Sequence, residues 1–461
     1  MRIPASLSIL PLLALLAVPA GPAAGEAPGP PGGGPIPASV TLEEAVRLAL
    51  SRSREIRLAG QEARIAGEER AKAGAGRLPR IDASGEFTAL SEPPSFFLQG
   101  REQQFGDRNV SRARLTAEQT LFDFGRTSSR IAGAEARLEA ARLREERTRE
   151  LRAFEAVSAY LAARRAERLR TVAGESLETA RAHRKVAGDL YELGVVAKND
   201  VLAAEVQVAN DEAARVTADN RVELSRSRLA LAMGYPGDAA VSPAPGPIPV
   251  PAGEVPPLGE SLAAASANRR EIRAAEAALR EGEARAEAAR AAFAPSFFGQ
   301  GGYAYESDSF NPNPHVFSAL VGGKVNLFAG GADRAERREA LLELDRRREE
   351  LALLRDRIAL EVKRAHLAVL EAAGRLAAAE VAVARAEENL RIQEDRYREG
   401  LSISTEMLDA QTLLSRAKAD RENAAFDLYE ARFGLLLARG ELLMQFAPPP
   451  AAGGAPAAPG R

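Results

Sequence analysis

The chain is written twice. Arg54-Glu55-Ile56-Arg57 recurs as Arg270-Glu271-Ile272-Arg273, an offset of 216, and at that offset Leu42 meets Leu258, Pro79 meets Pro295 and Phe87 meets Tyr303. Further on the offset is 206: Leu121-Phe122 meets Leu327-Phe328, Gly125 meets Gly331, Tyr191 meets Tyr397, Gly194 meets Gly400 and Leu202 meets Leu408. A register held over about 150 residues is a tandem duplication, so the fold must be built from two like halves. The first copy is ten residues longer, and the surplus lies between Phe87 and Leu121.

The copies span 41–234 and 258–446, and Tyr235 to Pro257, rich in Pro and Gly, reads as their linker. Each copy runs helix, strand, turn, strand, very long helix, sharp turn, helix. The opening helix starts at Thr41, an N-cap with Glu44 three residues on, and runs to about Ala75 with Ala45, Leu48, Ala49 and Ile56 as its apolar stripe. Strands are expected at 81–92 and 110–123, and again at 296–308 and 315–329. Ala113, Leu115 and Ala117 alternate with Arg114, Thr116 and Glu118, the period of a strand with one apolar face. Phe317, Ala319, Val321, Gly323, Val325 and Leu327 repeat the pattern after the Asn311-Pro312-Asn313-Pro314 turn. Such runs suit a membrane barrel or an ordinary soluble hairpin with one face on a core.

The residues beyond the strands favour the barrel. From 126 to 189 and from 332 to 399 there is no Pro, and strong helix formers dominate. About 65 residues at 1.5 Å each make a rod of roughly 100 Å. A shorter helix comes after each rod, at 199–233 and 406–446. Rods of this length, joined to alternating strands in an exported chain, read as the wall of a periplasmic tube.

Export is read from the N-terminus: Arg2, an apolar run from Leu7 to Val18 and small residues from Ala20 to Gly25 resemble a signal peptide at 1–25. A flexible leader is expected at 26–40 and a disordered Pro/Ala/Gly tail at 447–461. The mature chain has no run of 18 apolar residues, so any membrane crossing must use strands. Cys is absent, which excludes disulfides, thiolate metal sites and Cys nucleophiles. A net charge of −2 argues against a nucleic-acid partner, which would need a concentrated basic face. His183, His315 and His366 are too scattered for a metal cluster and are expected at the surface. Gly74-Ala75-Gly76 neither follows a strand nor opens a helix, so it is no phosphate loop. No catalytic residues, cofactor or metal are assigned, and the chain is not expected to be an enzyme.

The pattern resembles the TolC family of outer-membrane efflux proteins, from Thr41 to Phe446. The likeness is carried by the duplication, by the junctions Leu121-Phe122-Asp123-Phe124-Gly125 and Leu327-Phe328-Ala329-Gly330-Gly331, and by the turns Tyr191-Glu192-Leu193-Gly194 and Tyr397-Arg398-Glu399-Gly400. It implies a mainly α fold with a small β part, forming a homotrimer with a twelve-stranded outer-membrane β-barrel continued by a periplasmic α-helical barrel. Oligomerisation has an independent reason: four strands cannot close a barrel, and open sheet edges are not tolerated in lipid. The number three comes from the resemblance.

The likeness also implies sites. Gly194 and Gly400 lie where a rod must reverse, which by itself asks for no more than a helix C-cap. In the family these turns form the tip that meets a periplasmic adaptor, with Val195, Val196, Leu401 and Ser402 as exposed contacts. Glu406 and Asp409, three apart at a helix start, suit the helix dipole alone. They also match the family's acidic constriction, where three chains would form a ring of carboxylates that favours cations. Asp200 and Tyr397 match a gate pair joined by a phenol-to-carboxylate hydrogen bond, and Ser402 stands where the family carries a further basic gate partner. The implied function is a passive exit duct of a tripartite efflux pump in the outer membrane of a Gram-negative-type cell. It would serve an inner-membrane transporter of the RND or ABC type, with outer-membrane lipid around the barrel. A protein-secretion duct and a periplasmic coiled-coil adaptor are the alternatives.

Overall fold

The computed structural model describes residues 36–251, 253–399 and 401–446. The expected signal peptide, most of the leader and the tail lie outside the described residues. In chain order the elements are β1 (Ser39–Val40), α1 (Leu42–Arg52), α2 (Arg54–Gly74), β2 (Arg80–Ala89), β3 (Ser95–Leu98), β4 (Arg101–Gln104), β5 (Asn109–Phe122), α3 (Arg126–Glu192) and α4 (Lys198–Ala232). After them come β6 (Ser242–Pro243), α5 (Leu258–Asn268), α6 (Arg270–Ala291), β7 (Ser296–Glu306), β8 (His315–Lys324), α7 (Ala332–Arg398), α8 (Ser404–Arg439) and α9 (Leu442–Gln445).

The long strands form one antiparallel sheet in the order β2-β5-β7-β8. Residues directly opposite in such a sheet point to the same side, so the register sorts its faces. Ile81 pairs with Ala117, Ala83 and Tyr303 with Leu115, Phe317 with Tyr303, and Val321 with Gly299. That face is apolar, and Ile81, Phe87, Phe317 and Val321 on it are each more than 60% exposed. The other face carries Asp82, Ser84, Glu86, Arg112, Arg114, Thr116 and Glu118. An exposed apolar face backed by a polar one is what a strand between lipid and an aqueous lumen requires. Strand β8 stops at Lys324, short of the expected 329, and β2 stops at Ala89, short of 92. The ten surplus residues of the first copy add the small hairpin β3-β4, whose turn holds Gln99 and Gly100 at positive φ.

Each opening helix is broken once. Thr41 caps α1 as expected: the Glu44 N–H donates to Thr41 Oγ1 at 3.2 Å, and the Thr41 N–H to Glu44 Oε2 at 2.9 Å. At Ser53, however, ψ swings to 130°, and its hydroxyl accepts from the Ile56 N–H at 3.3 Å, so a second N-cap starts α2. The second copy breaks at Arg269, with ψ of 119°. Arg269 is buried, and its guanidinium donates to both oxygens of Glu361 at 2.8 and 2.9 Å.

The main core lies around the break, part-way along the rods. Val46 and Ala49 of α1, Val157 and Leu161 of α3, Leu229 and Met233 near the end of α4, and Phe433 of α8 pack there together with Val40 and Val241. The linker and the leader are therefore not wholly free. Ser39–Val40 pairs in parallel with Ser242–Pro243, and Tyr235 and Val241 are buried. Elsewhere the rods touch through narrow seams such as Ala63, Ala66 and Ala141.

Two glycines at equivalent positions lock the rods to this belt. Gly234 has φ 83° and a Cβ there would lie 3.0 Å from Arg52 Cβ; Gly440 has φ 74° and a Cβ would lie 3.0 Å from the Asn268 carbonyl carbon. Each short helix thus ends in a left-handed turn pressed against the broken opening helix. Gly234→Ala and Gly440→Ala should each cost about 1–3 kcal/mol. Gly188→Ala within α3, where the added methyl meets nothing within 4 Å, should gain up to about 1 kcal/mol. Thermal melting of the detergent-purified protein ranks the variants; a Gly440→Ala protein that melts level with Gly188→Ala removes the locking role.

Candidate functional site

The two rods α3 and α7 leave the sheet and reverse together at the far end of the molecule, where Val186, Leu190, Leu390, Tyr397, Met407 and Ala410 pack into one cluster. The first reversal is closed by two bonds, from the Val195 N–H to Leu190 O and from the Gly194 N–H to Tyr191 O, both 2.9 Å. Gly194 takes φ 72°, the conformation that favours glycine at such a helix end. The second is closed by the Leu401 N–H donating to Arg396 O at 2.8 Å. Gly400 itself lies outside the described residues.

The tip surface differs from expectation at two residues, Val196 and Ser402. Leu193, Val195, Leu401 and Ile403 are each more than half exposed, but Val196 turns inward against the cluster. The sequence reading missed Leu193, the most exposed of the four. Ser402 is half-buried, and its hydroxyl lies within reach of Glu406 Oε2 at 2.7 Å and Gln393 Oε1 at 3.1 Å. Glu406, on the first turn of α8, and Asp409, on the second, are both exposed, while Met407 and Ala410 between and after them are buried.

Among the described residues no hydrogen bond joins Tyr397 to Asp200. Tyr397 is buried, 2% exposed, and its ring stands edge-on to that of His183, with centroids 5.1 Å apart and 60° between planes. His183 is therefore no surface residue: it is 3% exposed, and its Nε2 lies 3.2 Å from the hydroxyl of Ser404. Leu177, Ala180, His183, Ala187 and Leu190 recur at intervals of three and four along α3, so the inward position of His183 was available from spacing. Asp200, half-buried in the first turn of α4, is not bonded to Tyr397 but faces the pair electrostatically.

Burial holds the His183 imidazole below its ordinary value, and the Asp200 charge offsets part of that. Burial, then the same charge, pushes the Tyr397 phenol upward, tempered by Ser404. The Ser404 hydroxyl is engaged with His183, and the phenol oxygen is left without a well-formed partner.

A family model described as outer membrane efflux protein matches residues 45–235 and 262–441, one stretch in each copy. The chain belongs to that family. Membership makes it an efflux component of the outer membrane and not an enzyme, with the helical rods as its periplasmic part. Protein CyaE of Bordetella pertussis is 27% identical over 319 residues, which is 66% of this chain and 65% of that protein, just under two thirds of its length. The fold is shared with the outer-membrane channel OprN, at 23% identity, TM-score 0.77, and 87% and 90% of the two chains. It is shared too with the outer membrane protein VceC of Vibrio cholerae, at 19% identity, TM-score 0.75, and 87% and 96% of the chains. No described helix is long and apolar enough to cross a membrane, and no group of three or more described His, Asp or Glu residues is arranged to hold a metal.

A buried hydroxyl without a good partner costs about 1–3 kcal/mol, so Tyr397→Phe should leave thermal stability unchanged or raise it. Ser404→Ala strips His183 of its partner and should cost about 1 kcal/mol. Melting curves of both variants decide; a loss above about 1 kcal/mol for Tyr397→Phe would mean that the phenol holds a bond.

Proposed function

We propose that three copies of this chain close head to tail into the passive exit duct of a tripartite efflux pump. Twelve strands would cross the outer membrane, and twelve packed helical columns would continue the channel through the periplasm. The observation that carries this reading is that the chain has two unfinished sides. Packing runs α2-α3-α6-α7 toward the sheet and α4-α3-α8-α7 toward the tip, so α2, α4 and β2 bound one side while α7 and β8 bound the other.

Both sides carry apolar seams with no partner in the chain. On α4, Leu202, Val206, Ala209, Ala213 and Val216 are exposed at intervals of three and four. On α7, Leu353, Leu360 and Leu367 are exposed at steps of seven, followed by Leu370 and Val381. Knobs at these intervals are what a second helix packs against. Two different, complementary sides make a heterologous contact, and such contacts form rings when the rotation closes. Three members follow from the family resemblance.

In this reading the exposed Leu193, Val195, Leu401 and Ile403 of each tip face an adaptor protein, and the adaptor links the duct to an inner-membrane transporter of the RND or ABC type. Asp200 and Tyr397 belong to a gate that narrows the tip, and Glu406 and Asp409 of three chains supply a cation-favouring ring at the same level. Energy comes from the transporter.

Val206→Glu or Leu360→Glu should shift the detergent-solubilised protein from trimer to monomer in size-exclusion chromatography with light scattering. A wild-type protein that runs as a water-soluble monomer ends the proposal. In planar bilayers, Asp200→Ala should raise single-channel conductance at least about threefold, since a gate held by about 1 kcal/mol per subunit shifts by that order when the hold is lost. No conductance from either protein counts against a duct.

A further inference from the structure

His183 lies where α3, α7 and α8 meet, beside the apolar cluster of the tip. Its ring touches both elements that must leave α3 if the second hairpin swings outward. The edge contact reaches Tyr397 near the end of α7, and Nε2 reaches Ser404, the first residue of α8, at 3.2 Å. The groups that face the ring are Asp200 from α4, the phenol of Tyr397 from α7 and the uncharged hydroxyl of Ser404 from α8.

A neutral imidazole suits that pocket, for one ring nitrogen exchanges a hydrogen bond with the hydroxyl while the ring packs on the phenol. An imidazolium does not, because a buried charge needs a close counter-ion or water, and Asp200 stands off without a bond to it. We infer that His183 is a positioning residue of the tip gate that makes closure sensitive to protons: the neutral ring clamps α7 and α8 against α3, and protonation releases them. The inference rests on the proposed gate at the tip.

Its direction comes from linkage. The closed tip holds the imidazole below 6.5, whereas an opened tip would return it to water and to about that value. The open form therefore binds the proton more tightly. Closure is favoured in full above pH 6.5, and weakens as the pH falls from there toward the depressed value.

The test is planar-bilayer conductance of the full-length protein between about pH 7.5 and about pH 5, the range in which an imidazole titrates. The wild type should conduct at least about threefold more at the acid end, with a slope no steeper than about tenfold per pH unit for each histidine. His183→Gln and His183→Asn, which keep a hydrogen-bonding group but cannot titrate, should bring the acid-to-neutral ratio to one. His366→Gln, altered on α7 outside the tip cluster, should keep the wild-type ratio. A wild type without an acid response, or His183 variants that retain it, overturns the inference. If Asp200→Ala still raises conductance at neutral pH in that case, the gate reading stands and only the role of His183 falls; if Asp200→Ala has no effect, the gate reading itself fails.

Discussion

An antiparallel sheet of four strands ends in two open edges, and hydrocarbon offers those edges nothing to bond. Strands β2 and β8 each leave a row of backbone groups unpaired, on a sheet whose apolar face is exposed along its length. In water such a sheet would be an aggregation hazard; in lipid it would cost several kcal/mol for each unpaired group. In the proposed ring, neighbours bringing β8 to β2 would satisfy those edges. The rest of the chain is compatible with that demand, because the same edge-to-edge order continues down the helices. The side that ends in β2 ends in α2 and α4, and the side that ends in β8 ends in α7.

This arrangement explains how two halves of one duplication came to differ. If both copies were identical, the contact between chains would repeat the contact between the two copies within a chain. Here the first copy presents a seam on its short helix α4, and the second presents one on its long rod α7. The helix breaks differ as well. Ser53 closes the first with a single hydroxyl, whereas Arg269, at the equivalent position, reaches Glu361 on α7 and the last carbonyls of α8. The second break thus ties three helices together where the first caps one.

Much of this was legible in the residues. The duplication, the Thr41–Glu44 capping box, the alternating strands and the Pro-free rods each rest on short-range chemistry that a sequence displays directly. All but one of the misses share a cause: they depend on what a residue meets across space. Ser53 reads as one more residue in a helical run until its hydroxyl is seen under Ile56. Ser39–Val40 and Ser242–Pro243 look like leader and linker, and only the packing of α1 on α3 brings them side by side as strands. Val196 comes after an exposed valine and looks like its equal, although one more step around the turn points it into the cluster. His183 is the exception, for its place among Leu177, Ala180, Ala187 and Leu190 marks the inward face of α3 by spacing alone.

The distribution of core along the rods bears on where motion can occur. The belt around the helix breaks gathers large side chains such as Leu161, Leu229, Met233 and Phe433, and both positive-φ glycines anchor there. Toward the tip the helices meet through small contacts, Leu177 with Ala180 and Val208 in one pair, Val383 with Ala386 and Ala417 in the other. Local stability tracks buried apolar contact, so the belt is the fixed end of each hairpin and the tip the compliant one. Among the described residues, the cluster around Leu390, Tyr397 and Met407, joined by His183 and Ser404, closes those thin seams at the tip. A gate placed there, as proposed, would work against few contacts over a long lever, so that a single buried ring nitrogen or one half-buried carboxylate would be enough to bias it.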